Sequence, residues 1–207
     1  IRRPPRSTQS RSSAASDVYK RQVGGQGILF ITRLLAETAV EMGLSVLISE
    51  THGMAQRGGN VVSHLKVFRP EADTAPDSGR PFFSPLIRAG RADLLLALHP
   101  EGEAAHAFLL KAGGTVISNR SDPGPGALDA ARIALELGSP VSANVVLLGF
   151  AAGSGALFCP PEPLLGTLKR LGGARIEASL RAFEAGRREA QRRAGGGVVG
   201  SCSGSAA

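Results

Sequence analysis

A glycine cluster followed directly by an amphipathic segment constrains the fold of this chain most strongly. The cluster comprises Gly24, Gly25 and Gly27, and residues 28–42 then place apolar side chains at helical spacing, with Gly43 as a stop. A glycine turn that opens a helix lets backbone N–H groups approach a phosphate or another backbone closely. The pattern therefore predicts a turn at the glycines and a helix after them.

Strand-like and helical segments alternate along the rest of the chain. Strands are predicted at 44–49, 61–68, 92–98 and 115–118, with a turn at 113–114, and helices at 101–111, 128–137, 144–152, 162–171 and 175–193. The continuous apolar run at 92–98 suits a strand covered on both faces. This alternation predicts an α/β fold, a three-layer αβα Rossmann-like domain with a mostly parallel sheet.

The two ends of the chain differ in composition from its middle. Residues 1–22 are rich in Ser and Arg and have no apolar period, so we expect them to be disordered. They also resemble translated vector sequence, which predicts a non-native segment. Residues 23–193 are expected to form one domain, and the Gly- and Ser-rich residues 194–207 a flexible tail.

The formal net charge of +7 comes mostly from the N-terminal segment. Residues 1–22 contain six basic side chains and one acidic side chain, which leaves 18 basic and 16 acidic residues in the remainder. The remainder has no Trp and no basic stripe interleaved with aromatic residues, and the whole chain has one Tyr. A nucleic-acid surface is therefore not expected.

The cysteines and histidines do not form a metal-binding pattern. Cys159 and Cys202 lack Cys-x-x-Cys spacing, so neither an iron–sulfur cluster nor a disulfide framework is expected within the chain. His64, His99 and His106 are not spaced as metal ligands either. No run reaches the roughly 18 to 20 apolar residues of a membrane span, and no signal peptide is evident. These observations predict a cytoplasmic protein without a membrane segment.

A second glycine-rich segment lies between two predicted strands, at residues 50–60. Its Arg57 has a guanidinium group suited to a carboxylate or phosphate, and His52 can transfer protons near neutral pH. Gly58 and Gly59 permit close backbone approach. No complete catalytic set accompanies them, so a polar interface with another subunit is an equally open interpretation.

The first cluster also matches part of a dinucleotide-binding fingerprint. The pattern Gly-x-Gly-x-x-Gly would need glycine at position 22, where this chain has Gln22. Glu50 lies 23 residues after Gly27 and is placed like the acid that binds a ribose. A stand-alone NAD(P)- or nucleotide-binding protein is therefore one alternative, and glycines that serve only close helix–sheet packing are another.

Both glycine segments resemble motifs of the 2-oxoacid:ferredoxin oxidoreductases. Residues 23–27 are similar to Gly-x-Gly-Gly-Gln-Gly of the gamma domain in that family, and residues 50–59 to Glu-x-His-Gly-Met-Ala-Gln-Arg-Gly-Gly. The second motif most resembles the small (beta) subunit of the indolepyruvate branch. The resemblance spans about residues 23–187 and lacks the apolar first strand and the first loop glycine of the family. The fold is therefore expected with its first strand missing.

The resemblance implies an accessory subunit of an oxidoreductase. Members of the family decarboxylate a 2-oxoacid on thiamine diphosphate with Mg²⁺, pass electrons through [4Fe–4S] clusters to ferredoxin, and release the acyl group to coenzyme A. This chain has neither a Gly-Asp-Gly thiamine motif nor a cysteine cluster. The resemblance therefore implies a large (alpha) partner that holds these cofactors, an arylpyruvate substrate, and no activity for this chain alone.

The resemblance also assigns residues that bind a cofactor or contact the partner subunit. They are Gly24, Gly25, Gln26, Gly27, Glu50, Gly53, Met54, Gln56, Arg57, Gly58, Gly59, Asp93 and Asn144. His52 and Arg57 are the candidate catalytic residues, and no metal ligand is expected. Asp93 is expected to cap or orient a loop, and Asn144 to be a helix N-cap or a contact residue. A purely structural interaction subunit stays open as an alternative.

Overall fold

A computed structural model describes residues 12–52, 61–69 and 84–195, with side chains from residue 27 onward except at position 52. The helices in these residues are α1 (Ser12–Glu41), α2 (Pro100–His106), α3 (Ala130–Glu136), α4 (Ala143–Gly153), α5 (Pro161–Leu171) and α6 (Ile176–Gly195). The strands are β1 (Ser45–His52), β2 (Val61–Phe68), β3 (Ala92–Ala97), β4 (Leu110–Asn119) and β5 (Ala127–Leu128). The protein is therefore α/β, as predicted.

The described strands form two separate sheets. β1 and β2 are antiparallel, with Ser45 opposite Phe68 and His52 opposite Val61. β3, β4 and β5 form a parallel sheet in that order. The parallel sheet confirms the predicted arrangement for its strands, whereas the antiparallel pairing of β1 with β2 was not anticipated.

The core lies where the parallel sheet meets the helices. Every residue from 145 to 152 in α4 is buried, as expected for an apolar helix that is enclosed by its neighbours. Leu34 of α1, Leu164 of α5 and Phe183 of α6 are fully buried against the same core. Among the described helices, none is long and apolar enough to cross a bilayer.

Two glycines allow α4 and α6 to pack closely. A Cβ added to Gly149 would lie 2.0 Å from the carbonyl oxygen of Phe183, and one added to Gly186 would lie 1.9 Å from that of Val146. Both obstacles are backbone atoms, so a change of side-chain rotamer cannot relieve the overlap. The two helices can therefore approach this closely only with glycine at both positions.

Polar side chains fix the C-terminal half of α1 to α5. The hydroxyl oxygens of Thr38 and Thr167 lie 3.0 Å apart, and the Thr167 hydroxyl donates to the Glu41 carboxylate at 2.8 Å. Arg170 forms ion pairs with both Glu37, at 3.0 Å, and Glu41. A hydrogen bond from Arg33 and the nearby Arg170 lower the pKa of Glu37. These contacts hold α1 firmly against the helical layer.

The start of α1 differs from its prediction. A helix was expected from Ile28, after a glycine turn, but the backbone is already helical from Ser12 and continues through the glycines. Glycine disfavours a helix interior by about 1 kcal/mol, so the helix runs against local propensity at Gly24, Gly25 and Gly27. The division of the chain into an N-terminal segment (residues 1–22), one domain (residues 23–193) and a flexible tail (residues 194–207) stays a prediction.

The segment after α2 also differs from its prediction. The α-helix expected over 101–111 ends at His106, a 3-10 turn continues over Ala107–Leu109, and β4 begins at Leu110. The predicted turn at Gly113 and Gly114 therefore lies inside a strand. Gly113 has a φ of 75°, and the pairing of β4 with β3 is irregular at this end. The glycine pair forms a bulge in the strand, because glycine adopts positive φ without strain.

Candidate functional site

Residues from α1, β4, α4 and the end of β3 meet at the carboxyl end of the parallel sheet. Asn144, in the first turn of α4, donates from Nδ2 to the Gly27 carbonyl oxygen at 3.3 Å. Leu98 directly follows β3 and lies beside the same glycine. In open α/β sheets, ligands bind outside the carboxyl ends of the strands. We call Gly27, Leu98, Asn119 and Asn144 the carboxyl-edge site; all four residues are partly exposed.

Asn119 belongs to this site and was missed by the sequence analysis. It ends β4, donates to the Leu98 carbonyl oxygen at 3.2 Å, and accepts from the Ala131 N–H at 3.2 Å. Asn119 thus links the ends of β3 and β4 to the first turn of α3. A polar residue directly after an apolar parallel strand was the signal that would have found it.

Asn144 connects α4 to α1 and is not the helix N-cap. Ser142 occupies the N-cap position, and its side chain makes no capping hydrogen bond. The Asn144 Oδ1 instead accepts from the Val145 N–H at 2.9 Å, which satisfies a free donor of the first turn. Together with its bond to Gly27, this contact ties the start of α4 to α1.

Gly27 is not required to be glycine by the described contacts. An added Cβ would lie 3.4 Å from Asn144 Nδ2 and 3.6 Å from Leu98 Cδ1, which are close to ordinary contact distances. Gly27 also has no positive φ. The interpretation that this glycine serves only close packing stays a prediction, because Asn144 and Leu98 already lie beside it.

The other residues of the two glycine segments are described only in part. Gly24, Gly25 and Gln26 lie in the helical backbone of α1, so the structure shows no phosphate-binding turn at these positions. The alternative of a stand-alone NAD(P)-binding protein stays a prediction. His52 ends β1 opposite Val61. The side chain of His52 and all of Gly53, Met54, Gln56, Arg57, Gly58 and Gly59 lie outside the described residues.

The two predicted acidic residues are not part of the carboxyl-edge site as described. Glu50 is exposed on β1, opposite Ser63 of β2. Asp93 lies at the start of β3 and forms an exposed ion pair with Lys111. A strand rises about 3.3 Å per residue, so Asp93 is roughly 16 Å from Leu98 at the opposite end. Asp93 therefore pairs with β4 at the end of β3 away from this site, and the expectation that it caps or orients a loop stays a prediction.

The ionisable groups in the described residues do not form a catalytic set. No cluster of three His, Cys, Asp or Glu side chains there is arranged to hold a metal. Burial raises the pKa of Cys159 to about 11, which makes its thiol a poor nucleophile and metal ligand near neutral pH. Burial also lowers the pKa of His64, and nearby His106 and Lys66 lower it further.

Comparison with known sequences identifies one family. The family model described as pyruvate ferredoxin/flavodoxin oxidoreductase matches residues 21–189. Indolepyruvate oxidoreductase subunit IorB of Methanothermobacter thermautotrophicus is 30% identical over 82% of this chain and 95% of that protein. The protein of the same name from Thermococcus kodakarensis is 27% identical over 79% of this chain and 90% of its own length.

Two solved structures share the fold. The gamma subunit of a keto/oxoacid ferredoxin oxidoreductase from Geobacter sulfurreducens has a TM-score of 0.58 and 24% identity, covering 82% of this chain and 94% of that one. A 2-oxoglutarate:ferredoxin oxidoreductase from Magnetococcus marinus has a TM-score of 0.63 and 19% identity. That match covers 82% of this chain but 30% of the other, so the fold corresponds to one part of a larger chain.

Proposed function

Because this chain belongs to the pyruvate ferredoxin/flavodoxin oxidoreductase family, we propose that it is the accessory (beta or gamma) subunit of a 2-oxoacid:ferredoxin oxidoreductase. The substrate we assign is indolepyruvate or a related arylpyruvate, which the cytoplasmic complex decarboxylates oxidatively to the acyl-CoA. Two relatives named as subunits of indolepyruvate oxidoreductase support this choice, because they align over 95% and 90% of their length.

We assign the redox chemistry to a large (alpha) partner subunit. That subunit would hold thiamine diphosphate, Mg²⁺ and the [4Fe–4S] clusters, with coenzyme A as co-substrate and ferredoxin as electron acceptor. The donor set described in this chain does not fit a cluster, since Cys159 is buried and its pKa is raised. The contribution of this chain is a surface that completes the complex.

The observation that carries this proposal is the carboxyl-edge site, where partly exposed residues from four elements meet at the carboxyl ends of β3 and β4. Within it, neither the backbone conformation nor the neighbours of Gly27 require glycine, unlike those of Gly149 and Gly186 in the core. We place the large subunit, near its thiamine or coenzyme A pocket, against this site and against residues 50–59.

Gly27→Ala is expected to weaken the complex without destabilising the chain. Alanine is favoured over glycine in a helix by about 1 kcal/mol, so the isolated chain should melt at the same or a higher temperature. A methyl group in the carboxyl-edge site should lower kcat/KM of the assembled complex at least about tenfold, or about 1.4 kcal/mol. Steady-state kinetics and thermal unfolding measure the two effects.

Gly166→Ala is the matched control for this variant. Gly166 is exposed on α5, and an added Cβ would contact nothing within 4 Å. The control should gain helix stability and keep full activity in the complex. Equal activity of the Gly27 and Gly166 variants would contradict the placement of the partner at this site.

Arg57→Ala tests the second glycine segment. We expect kcat/KM of the assembled complex to fall at least about tenfold, because a guanidinium that binds a carboxylate or phosphate is lost. Arg181→Ala is the control, since Arg181 is exposed on α6 and has no assigned role. Unchanged kinetics of the Arg57 variant in an intact complex would make the segment purely structural.

A further inference from the structure

An open cavity of about 460 Å³ lies where the end of α4 and the start of α5 meet α6. Residues 157–161 form its apolar wall, and Arg187 and Gln191 of α6 form its polar wall. Protein pockets that bind small molecules have volumes of about 300–1,000 Å³, mostly apolar walls and a few polar groups. The size and lining of this cavity are therefore those of a small-molecule site.

The cavity is separate from the carboxyl-edge site. Asn144 lies in the first turn of α4, whereas Gly153 ends the same helix and lines the cavity. At a rise of 1.5 Å per residue, these two residues are about 14 Å apart along α4. A ligand in the cavity would therefore not touch Gly27 or Asn144.

Close packing of α4 on α6 fixes the base of the cavity. A Cβ added to Gly153 would lie 2.9 Å from both the Ala190 Cβ and the Arg187 carbonyl oxygen. Ala152, which also lines the cavity, is buried, as is Ala190. The backbone that carries Arg187 is thus held against α4, so the polar wall is in position before any ligand binds.

The polar wall has unused hydrogen-bond donors. The Glu184 carboxylate accepts from Arg187 Nε at 3.0 Å and pairs with Nη2 at 2.8 Å. Within the described part of the chain, neither Arg187 Nη1 nor the Gln191 side chain has a hydrogen-bond partner. Residues four apart on a helix are neighbours, so these two groups lie side by side. Glu184 orients the guanidinium, and Nη1 and the Gln191 amide are left to bind a carboxylate.

The apolar wall suits an aromatic ring. Phe158 is 39% exposed, and Pro160 is exposed beside it. Leu157 and Pro161 are partly exposed in the same wall. A ring that packs against Phe158 and the prolines buries this apolar surface and makes an aromatic pair, which a short aliphatic chain does not.

We propose that this cavity binds a small aromatic carboxylic acid, with its ring against residues 157–161 and its carboxylate against Arg187 and Gln191. The guanidinium selects an acid over a neutral molecule of the same shape. The apolar wall selects a molecule with a ring over acetate. The proposal concerns this chain by itself and does not depend on the proposed function.

Titration of the full chain with indole-3-acetate, followed by ¹H–¹⁵N NMR, tests the proposal. We expect saturable shifts at the amides of residues 152–159, 187 and 191, with a Kd of about 1 mM or tighter. Indole-3-acetamide has the same ring without the charge, and acetate has the charge without the ring. Both should bind at least about tenfold more weakly.

Arg187→Gln removes the cation and keeps a polar side chain. The Kd for indole-3-acetate should rise about tenfold, because a hydrogen bond to a charged group is lost, while weak binding of indole-3-acetamide should not change. Arg181→Gln is the matched control, since Arg181 is exposed on the same helix and does not line the cavity. If loss of the pair with Glu184 unfolds the chain, Gln191→Ala replaces it as the test variant, with an expected rise of about threefold.

Four outcomes would overturn the proposal. The first is no saturable shift with indole-3-acetate, and the second is saturable shifts only at amides away from the cavity. The third is an affinity for indole-3-acetate that is the same in the variants at Arg187 and Gln191 as in Arg181→Gln. The fourth is binding only after residues 196–207 are removed, which would assign the cavity to the C-terminal segment of the chain itself.

Discussion

Alanine in place of Gly186 is expected to lower the free energy of unfolding by about 3 kcal/mol. The added methyl would lie 1.9 Å from the Val146 carbonyl oxygen and 2.8 Å from the Phe150 nitrogen, both in the backbone of α4. α4 and α6 must therefore move apart, which loosens the contacts of the fully buried Val146 and Phe183. Equilibrium unfolding in urea measures the loss, with the slope m checking that the transition stays two-state.

Gly166→Ala provides the matched control for this prediction as well. It makes the same chemical change in a helix, but no atom lies within 4 Å of the added Cβ. The control should be more stable than the parent by up to about 1 kcal/mol. If Gly186→Ala unfolds at the same urea concentration as Gly166→Ala, the close crossing of α4 and α6 is wrong.

Much of the element order was predictable because it depends on local patterns. The helices predicted at 144–152, 162–171 and 175–193 are found within two residues of those bounds, since each has a clear helical period or apolar run. The start of α1 was not predictable in this way. The glycines at 24, 25 and 27 disfavour a helix locally, and the helix nevertheless continues through them.

The sequence predicts where helices and strands lie better than it predicts which of them pack or pair together. Periodicity identifies the strands but not their partners, so the antiparallel pairing of β1 with β2 was missed. The need for glycine at 149 and 186 depends on which helices cross, and a single sequence does not show this. Gly113 was assigned to a turn because glycine at positive φ is typical both of a turn and of a bulge inside a strand.

Two residues of the carboxyl-edge site were assigned in advance, through the family resemblance and not through chain position. Gly27 and Asn144 are 117 residues apart in sequence and lie in hydrogen-bond contact. Asp93 lies at the end of β3 away from this site, and its assigned role stays a prediction. Asn119 was missed although it ends a parallel strand. Arg57 and the other residues of its segment stay predictions.

Activity is expected to require both this chain and its large partner. The described residues contain no catalytic set and no metal-binding cluster, so the isolated chain should be colourless and should not reduce ferredoxin. Added to the large subunit, it should complete the surface at which the reaction takes place. The expected change is from no measurable turnover to steady turnover, which is larger than the effect of any single substitution.

The most direct test measures reduction of ferredoxin, or of a viologen dye, with indolepyruvate and coenzyme A as substrates. Three samples are compared: this chain alone, the separately purified large subunit alone, and the two mixed in increasing ratio. The account predicts no activity from this chain alone and an activity that saturates as it is titrated into the large subunit. Turnover by this chain alone, or full activity of the large subunit without it, would contradict the assignment as an accessory subunit.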